Sequence, residues 1–463
     1  MATGSLRPAV RRILFIAALL FLASCSNDAS EPTVTATNVP TAAPTTTSPP
    51  TTTQAVLTTR DLFDEISPSL AFVTTDLGVG SGVLIDGGYV VTNAHVVWPF
   101  DTVRVVFPDG TEIEDAPVVR SDVYEDLAVI GPIETGAPPL TLSTEADFGV
   151  GDTVFLVGYP GEVEDFPMPA ITQGVISRIR EWPGGDLTFI QTDALIAGGQ
   201  SGGALVSEHG EVLGISGLGG FSESNFALVA AAEDLSVRVA ALLDGSNPER
   251  FVIPTIDDGG TATEHEVDLA SFWHEAVFVL HEPVGTEVTV EIDSADHVLA
   301  ITDALGFSVI EPTDQTMKIE FVVEFDEPHF VFVNAVVAGP SSATITSTHP
   351  LTPWSDPDDD AVLRAGDSVR AVIDISSEYD VYRLDLTAGD TVTITVDGLL
   401  DPTVYVDLVG NPDEPLAFDL DSGGGLFGTN AQVEFTAPDD DEYLIIVNDE
   451  LLEPGSGYLL TVE

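Results

Sequence analysis

Residues 191–206 read Gln191-Thr192-Asp193-Ala194-Leu195-Ile196-Ala197-Gly198-Gly199-Gln200-Ser201-Gly202-Gly203-Ala204-Leu205-Val206. One serine stands between glycine pairs at the foot of a short apolar run. A hydroxyl is a weak nucleophile at its own pKa, and it needs a base within hydrogen-bond reach and an acid that fixes the base's tautomer. It also needs amide donors aimed at the oxyanion that develops. Glycines on either side of Ser201 let the backbone turn its N–H groups to one point without a Cβ in the way.

Two upstream segments supply the remaining groups. Val90-Val91-Thr92-Asn93-Ala94-His95-Val96-Val97 is a strand pattern ending in a histidine, and Ser121-Asp122-Val123-Tyr124-Glu125-Asp126-Leu127-Ala128-Val129-Ile130 places acids just before an apolar strand. His95 and His209 are the two histidines within 56–246. His209 lies in Ser207-Glu208-His209-Gly210, a hairpin-turn pattern, so His95 is the expected base. Asp126 leads directly into the strand and is the expected acid, while Asp122 is the competitor and is expected to cap a turn. The chain order His, Asp, Ser is that of the chymotrypsin fold, distinct from the subtilisin and α/β-hydrolase orders.

The surrounding stretch, 56–246, is β-rich: "AFVTT", "GSGVLID", "GYVVTN", "TVRVVF", "DLAVIG", "DTVFLVGYP" and "EVLGISGL" are short β-branched runs broken by Gly, Pro and Asp. Helical patterning is confined to a short amphipathic turn at Arg60 to Ser67 and to Glu233 to Leu243, where Leu235, Val239 and Leu242 share a face. The motifs resemble the trypsin-like serine proteases of the HtrA/DegP branch. "GSGVLIDGGYVVTNAHVV" is similar to that branch's approach to the catalytic His, "SDVYEDLAVI" to its D-x-x-x-D-[IL]-A motif, and "QTDALIAGGQSGGALV" to its nucleophile motif. The resemblance implies a double β-barrel, a catalytic triad of His95, Asp126 and Ser201, and an oxyanion hole of backbone groups at Gly199, Gln200 and Ser201. It also implies a specificity pocket at Leu195, Ser216 and Gly217, with Gly214 to Gly220 as the strand beside which an extended substrate adds. Leu195 in place of an acid predicts an aliphatic residue before the scissile bond. Gln200 stands where the branch has Asn or Asp, and Ala204 where it has Pro. No PDZ-like segment is seen in 247–463, so the resemblance supplies no basis for expecting the chaperone and cage-assembly behaviour of the branch.

The remainder is an internal repeat. "GTEVTVEID" from Gly285 aligns with "GDTVTITVD" from Gly389, and "IEFVVEFDEPHFVFVN" (319–334) with "VEFTAPDDDEYLIIVN" (433–448). Alternating apolar and polar positions predict a small β-sandwich in each copy. The second copy resembles the bacterial pre-peptidase C-terminal domain, and the first does so only through the second. The fold class expected is therefore mostly β, a chymotrypsin-like double barrel followed by two small β-sandwiches. The expected division is a signal segment at 1–24, a Thr/Pro-rich tether at 25–55, the protease-like unit at 56–246, a degenerate sandwich at 252–347, a linker at 348–360 and a second sandwich at 361–463.

The N-terminus carries Arg7, Arg11 and Arg12, an apolar run from Ile13 to Leu22, and Leu22-Ala23-Ser24-Cys25. The run is too short to span a bilayer, which takes about 20 residues. The segment resembles the lipobox of bacterial lipoproteins, which implies lipidation at Cys25, the one cysteine in the chain. Composition sets the exclusions. The 463 residues carry 76 Asp and Glu against 14 Lys and Arg, a net charge of −62, which excludes binding to a nucleic-acid backbone. One cysteine excludes an intrachain disulfide. The acid clusters at Asp356, Asp358 to Asp360 and Asp439 to Asp441 read as solvated surface, and no cofactor or metal is expected. Taken together, the sequence predicts a lipid-anchored extracytoplasmic serine endopeptidase acting on polypeptides. The alternative is a surface binding lipoprotein whose protease-like unit is inert.

Overall fold

The computed structural model describes residues 55–463, apart from 162–166, 220–226, 246–261, 310–315, 355–360, 450–455 and gaps of one to three residues. Cys25, the signal segment and all but the last residue of the tether lie outside the described residues, as do Asp356 and Asp358 to Asp360.

Six short strands, β1 (Leu70–Thr74), β2 (Val79–Ile85), β3 (Tyr89–Thr92), β4 (Thr102–Val106), β5 (Glu112–Asp122) and β6 (Leu127–Ile130), close into a barrel in the order β1-β2-β3-β6-β5-β4. A second barrel of β7 (Thr153–Gly158), β8 (Ala170–Trp182), β9 (Leu187–Thr192), β10 (Ala204–Ser207), β11 (Val212–Gly219) and β12 (Ala227–Ala231) closes in the order β10-β11-β12-β9-β8-β7. Closure removes the free edges that such short, apolar strands would otherwise expose. Val73, Val90, Val105 and Ile130 fill the first barrel, and Leu156, Ile190, Leu205 and Val229 fill the second. A third cluster, including Phe72, Val83, Phe155, Tyr159 and Val206, joins the two. There the Phe72 and Tyr159 rings meet edge to face at 5.5 Å.

The helical patterning at Arg60 to Ser67 forms a two-turn helix, α1 (Thr59–Ile66). Thr58 and Asp61 build a capping box that satisfies its first amides, and Leu62 and Ile66 are buried. His95 stands on a one-turn helix, α2 (Ala94–Val97), instead of on the strand end: β3 stops at Thr92, and Asn93, still extended, is the N-cap of the helix. The closing helix α3 (Ala232–Asp244) buries Leu235, Val239 and Leu242 and stops at Gly245, whose φ of 74° is the left-handed cap that glycine adopts without strain.

The C-terminal half holds two sandwiches with matching connectivity. The first has strands β13 (Glu264–Leu269), β14 (Glu275–Leu280), β15 (Glu287–Ile292), β16 (His297–Thr302), β17 (Lys318–Val322), β18 (His329–Ala335), β19 (Ser341–Ser347) and β20 (Thr352–Pro353). They form sheets β13-β19-β15-β17 and β16-β18-β14-β20. The second has β21 (Val362–Leu363), β22 (Ser368–Ile373), β23 (Asp380–Leu386), β24 (Thr391–Gly398), β25 (Pro402–Leu408), β26 (Ala417–Asp419), β27 (Ala431–Thr436), β28 (Asp441–Asp449) and β29 (Ser456–Val462). These form sheets β22-β29-β24-β27 and β21-β23-β28-β25-β26. Gly285 and Gly389, the residues on which the repeat aligns, both turn with positive φ, 89° and 92°. In β24, Val392, Ile394 and Val396 face the core and the residues between them face outward. Each buried aliphatic side chain of this size stabilises the fold by roughly 1.5–3 kcal/mol.

The linker expected at 348–360 is partly structural. Leu351 is buried, Thr352–Pro353 pairs with β14, and Trp354 packs beside Phe330 at 6.2 Å. The apolar residues of "HPLTPW" have a core within reach and enter it. The modules are also fused. Val381, Leu444 and Ile446 of the second sandwich belong to the core of the first, and Trp273 donates its indole N–H to Asp407 across the junction at 2.7 Å.

Candidate active site

The site lies where the two barrels meet. Asp126 grips His95 at two points: the His95 backbone amide donates to Oδ1 at 3.0 Å, and the ring Nδ1 stands 2.9 Å from both carboxylate oxygens. A carboxylate on Nδ1 keeps the proton there and leaves Nε2 as the base. The His95 side chain is 42% exposed and that of Asp126 15%, so the ring is open to a substrate while its partner is screened.

Asp126 adopts this position through a left-handed backbone, φ 51°, the one non-glycine with positive φ among the described residues. Such a conformation persists where its surroundings over-determine it. The Asn93 amide donates to the Asp126 carbonyl at 3.1 Å, and the Asp126 N–H donates to the Val123 carbonyl at 3.2 Å. Next door, the Glu125 carboxylate is buried and paired with Arg238 of α3. Asp122 accepts the Glu125 amide at 3.3 Å, so it caps the turn as expected and leaves Asp126 as the acid on the ring.

Ser201 sits on the turn before β10. Its Oγ lies 3.5 Å from the Gly217 carbonyl, and its own carbonyl accepts the Ser81 amide at 2.7 Å. The preceding loop is shaped by three contacts. Gly161 donates to the Gly198 carbonyl at 2.6 Å, and in a trans peptide the Gly199 N–H must then point the opposite way. Gly199 has φ 86°, and a Cβ there would fall 2.7 Å from the Gly161 nitrogen, so only glycine fits. The Gln200 side chain is 2% exposed, and its Oε1 accepts the Ala197 amide at 2.7 Å. The amides of Gly199 and Ser201 donate to no acceptor among the described residues. That of Gln200 is committed to the Ala197 carbonyl at 3.1 Å, so the donors available to an oxyanion are two of the three expected.

Ser81 escaped the sequence reading. It is fully buried on β2 of the first barrel, and its Oγ donates to the Gly199 carbonyl and accepts the Tyr159 amide, both at 2.8 Å. One side chain thus ties the oxyanion loop to both barrels. The signal in the sequence was glycine on either side of it. A Cβ at Gly80 would meet Val96, and one at Gly82 would meet Val90, each at 2.3 Å, and glycine inside a strand marks such close approach.

The expected specificity pocket is rearranged. Leu195 is 64% exposed and walls nothing closed. Ser216 is fully buried, and its Oγ donates to the Gln200 carbonyl at 2.6 Å, so it is a strut of the nucleophile loop. Gly217 does face the site: a Cβ there would lie 2.6 Å from the Asn93 amide nitrogen, and its carbonyl is the Ser201 contact. β11 pairs with β12 as far as Gly219 but with β10 only as far as Ile215. From Gly217 onward, one edge of β11 is therefore unpaired by strand on the Ser201 side among the described residues. Among the same residues, no group of three or more His, Cys, Asp or Glu is arranged to hold a metal ion. His265 on β13 lies against the Phe278 ring, with centroids 5.1 Å apart and tilted by 45°, and His274 and His281 flank β14.

Residues 80–215 match the trypsin-like peptidase domain, and residues 378–449 match the bacterial pre-peptidase C-terminal domain. Serine endoprotease DegS of Escherichia coli strain K12 is 41% identical over 263 residues, covering 52% of this chain and 70% of that protein. DegS of Salmonella typhimurium is 42% identical over 152 residues, covering 32% of this chain and 41% of the relative. A probable periplasmic serine endoprotease, DegP-like, of Halomonas elongata is 37% identical over 178 residues, covering 36% of each. The chain thus spans less than two thirds of the last two. Among solved structures, the HtrA-type protease AlgW with tripeptide is 32% identical, covering 40% of this chain and 64% of that one, with a TM-score of 0.36.

Proposed function

The chain belongs to the HtrA-type serine endoproteases, the family of DegS, and from that membership and the clasp of Asp126 on His95 we propose that it is an endopeptidase working through a Ser201–His95–Asp126 triad. Ser201 Oγ attacks the peptide carbonyl while His95 Nε2 takes its proton. The oxyanion is met by the amides of Gly199 and Ser201. His95 then gives the proton to the leaving amine, an ester to Ser201 remains, and water activated by the same base releases the acid. The Asp126 carboxylate lies against the ring and stabilises the imidazolium. The unpaired edge of β11 beyond Gly217 is suited to hold the substrate as an added strand, with backbone hydrogen bonds supplying affinity.

The observation that carries this reading is the Nδ1 contact at 2.9 Å, held by a left-handed Asp126 backbone that an inert scaffold has no need to retain. That weighs against the alternative, a binding lipoprotein with an inactive protease-like unit. A fluorophosphonate probe should label the protein, and Ser201→Ala should remove the label; an unlabelled wild type would overturn the proposal.

We assign the working place to the outside of the cytoplasmic membrane, in line with the periplasmic relative, and the attachment to a lipid on Cys25. Among the described residues, no helix is long and apolar enough to cross a membrane. Cys25→Ser should move the protein from the membrane fraction to the soluble one or block its maturation. An unchanged membrane fraction would refute the anchor. The proposed division remains a protease unit at 56–246 with sandwiches at 252–347 and 361–463. Polypeptides are the substrates, and no cofactor takes part.

A further inference from the structure

The loop that bears Asp126 is covered from outside by the second sandwich, more than 240 residues further along the chain. The Gly457 backbone of β29 sits against the Tyr124 carbonyl so closely that a Cβ at 457 would fall 2.3 Å from that oxygen. Leu399, 3% exposed, accompanies it: its amide donates to the Gly457 carbonyl at 3.0 Å, and its side chain joins Asn93, Glu125, Asp126 and Gly217 around one small cavity. On the adjoining strands, the Arg370 guanidinium lies 5.9 Å over the Tyr124 ring, and Asp397 accepts the Trp182 indole N–H at 3.2 Å. Val372 and Leu399 share one buried cluster with Val123, Tyr124, Trp182 and Ala94, the residue before His95.

We infer that the second sandwich is part of the catalytic apparatus, and that Leu399 and Gly457 are positioning residues which hold the Tyr124-Glu125-Asp126 loop so that the Asp126 carboxylate meets His95. The inference rests on the proposed triad. Asp126 occupies a backbone conformation that an aspartate does not favour, so contacts on both sides must hold it. On the inner side these are the Arg238–Glu125 pair and the Asn93 amide. On the outer side they are Gly457 and Leu399. The sandwich therefore tunes turnover through the triad acid without touching the substrate.

The consequence is readable in the pH profile. A carboxylate beside an imidazole favours its charged form, so a carboxylate that withdraws lets the His95 pKa fall. The charged groups around the loop are Asp122 and Glu125 within it, Arg238 of α3, and Arg370 and Asp397 of the sandwich, and the variants leave all of them in place. In the full-length protein, Gly457→Ala drives a methyl into the Tyr124 carbonyl and Leu399→Ala opens a gap behind the loop. Each should lower kcat by roughly tenfold to a hundredfold with KM nearly unchanged, the scale of a misplacement near 1 Å. Each should also move the acid limb of kcat/KM to lower pH. Leu399→Met, which refills the gap, should restore both.

Simple loss of folded protein would lower the amount of enzyme labelled by fluorophosphonate but leave the acid limb where it was. If Gly457→Ala does not fold, the Leu399 pair decides alone. Folded variants with wild-type kcat and an unmoved acid limb would overturn the inference while leaving the triad intact, and a rise in kcat would overturn it by making the sandwich a restraint. A wild type that fluorophosphonate does not label would instead bring down the peptidase reading beneath it.

Discussion

Ser201→Ala and His95→Ala each abolish peptide cleavage, and Asp126→Asn lowers kcat by about 10⁴-fold, or roughly 5 kcal/mol at 1.36 kcal/mol per decade. The three losses have different causes. Without Oγ there is no acyl-enzyme. Without the imidazole, the Ser201 proton has no acceptor. An amide at 126 keeps the size of the side chain but turns an N–H donor toward Nδ1, and the ring then responds by placing its own proton on Nε2, where the base should be. Because the His95 amide also donates to Oδ1, a correctly rotated Asn can retain that bond, so the fold should survive and the loss should be one of chemistry. The measurement is kcat on a peptide substrate with the active-site concentration set by titration. Residual cleavage near the wild-type rate in His95→Ala would remove His95 from the mechanism, and an Asp122→Asn variant as impaired as Asp126→Asn would move the acid to Asp122. Asp122 accepts the Glu125 amide from its own turn, whereas the His95 ring is met by Asp126, so the Asp122 variant should be the milder of the two.

The barrels were legible because their strands are short, β-branched and punctuated by Gly, Pro and Asp, and closure follows from the need to pair every edge. The triad was legible because its three groups sit in local motifs whose order restricts the fold. What escaped was long-range. The role of Ser81 depends on Gly199, which is 118 positions away, and the glycines that flank it signal a close approach without saying to what. Ser216 was placed in the pocket by the family resemblance, which does not say which way each position of the strand faces in this chain. Burial turned it toward the Gln200 carbonyl and left Gly217 at the cleft. The docking of the second sandwich on Tyr124 was invisible for the same reason. A glycine at 457 reads as a weak strand residue until the carbonyl facing it is known. The linker was misjudged in part because its polar composition outweighed Leu351 and Trp354, the two residues that decide where it goes.

Gly199→Ala should lower kcat by about 10²- to 10³-fold with KM little changed, the cost of losing one oxyanion donor. Two independent strains force this. The residue holds φ at 86°, where an L side chain is disfavoured, and the new methyl would fall 2.7 Å from the Gly161 nitrogen and 2.9 Å from the Tyr159 carbonyl. Both of those atoms are backbone, so neither yields by rotating a side chain. The loop relieves the strain by turning the Gly198–Gly199 peptide over, which costs the Gly161 bond to the Gly198 carbonyl and points the Gly199 N–H away from the reaction. His95, Asp126 and the Ser201 hydroxyl are untouched, so the acid limb of the pH profile should stay where it is, unlike that of a variant that disturbs Asp126. Gln200 should limit the damage to this one peptide, because its side chain holds the Ala197 amide and its carbonyl receives Ser216 Oγ independently of the flip. Removing that brace as well, in Gly199→Ala with Gln200→Ala, should therefore cost more than the sum of the two single changes. Strict additivity would show that Gln200 does not stabilise the loop, and a Gly199→Ala enzyme with wild-type kcat would show that the Gly199 amide does not face the oxyanion.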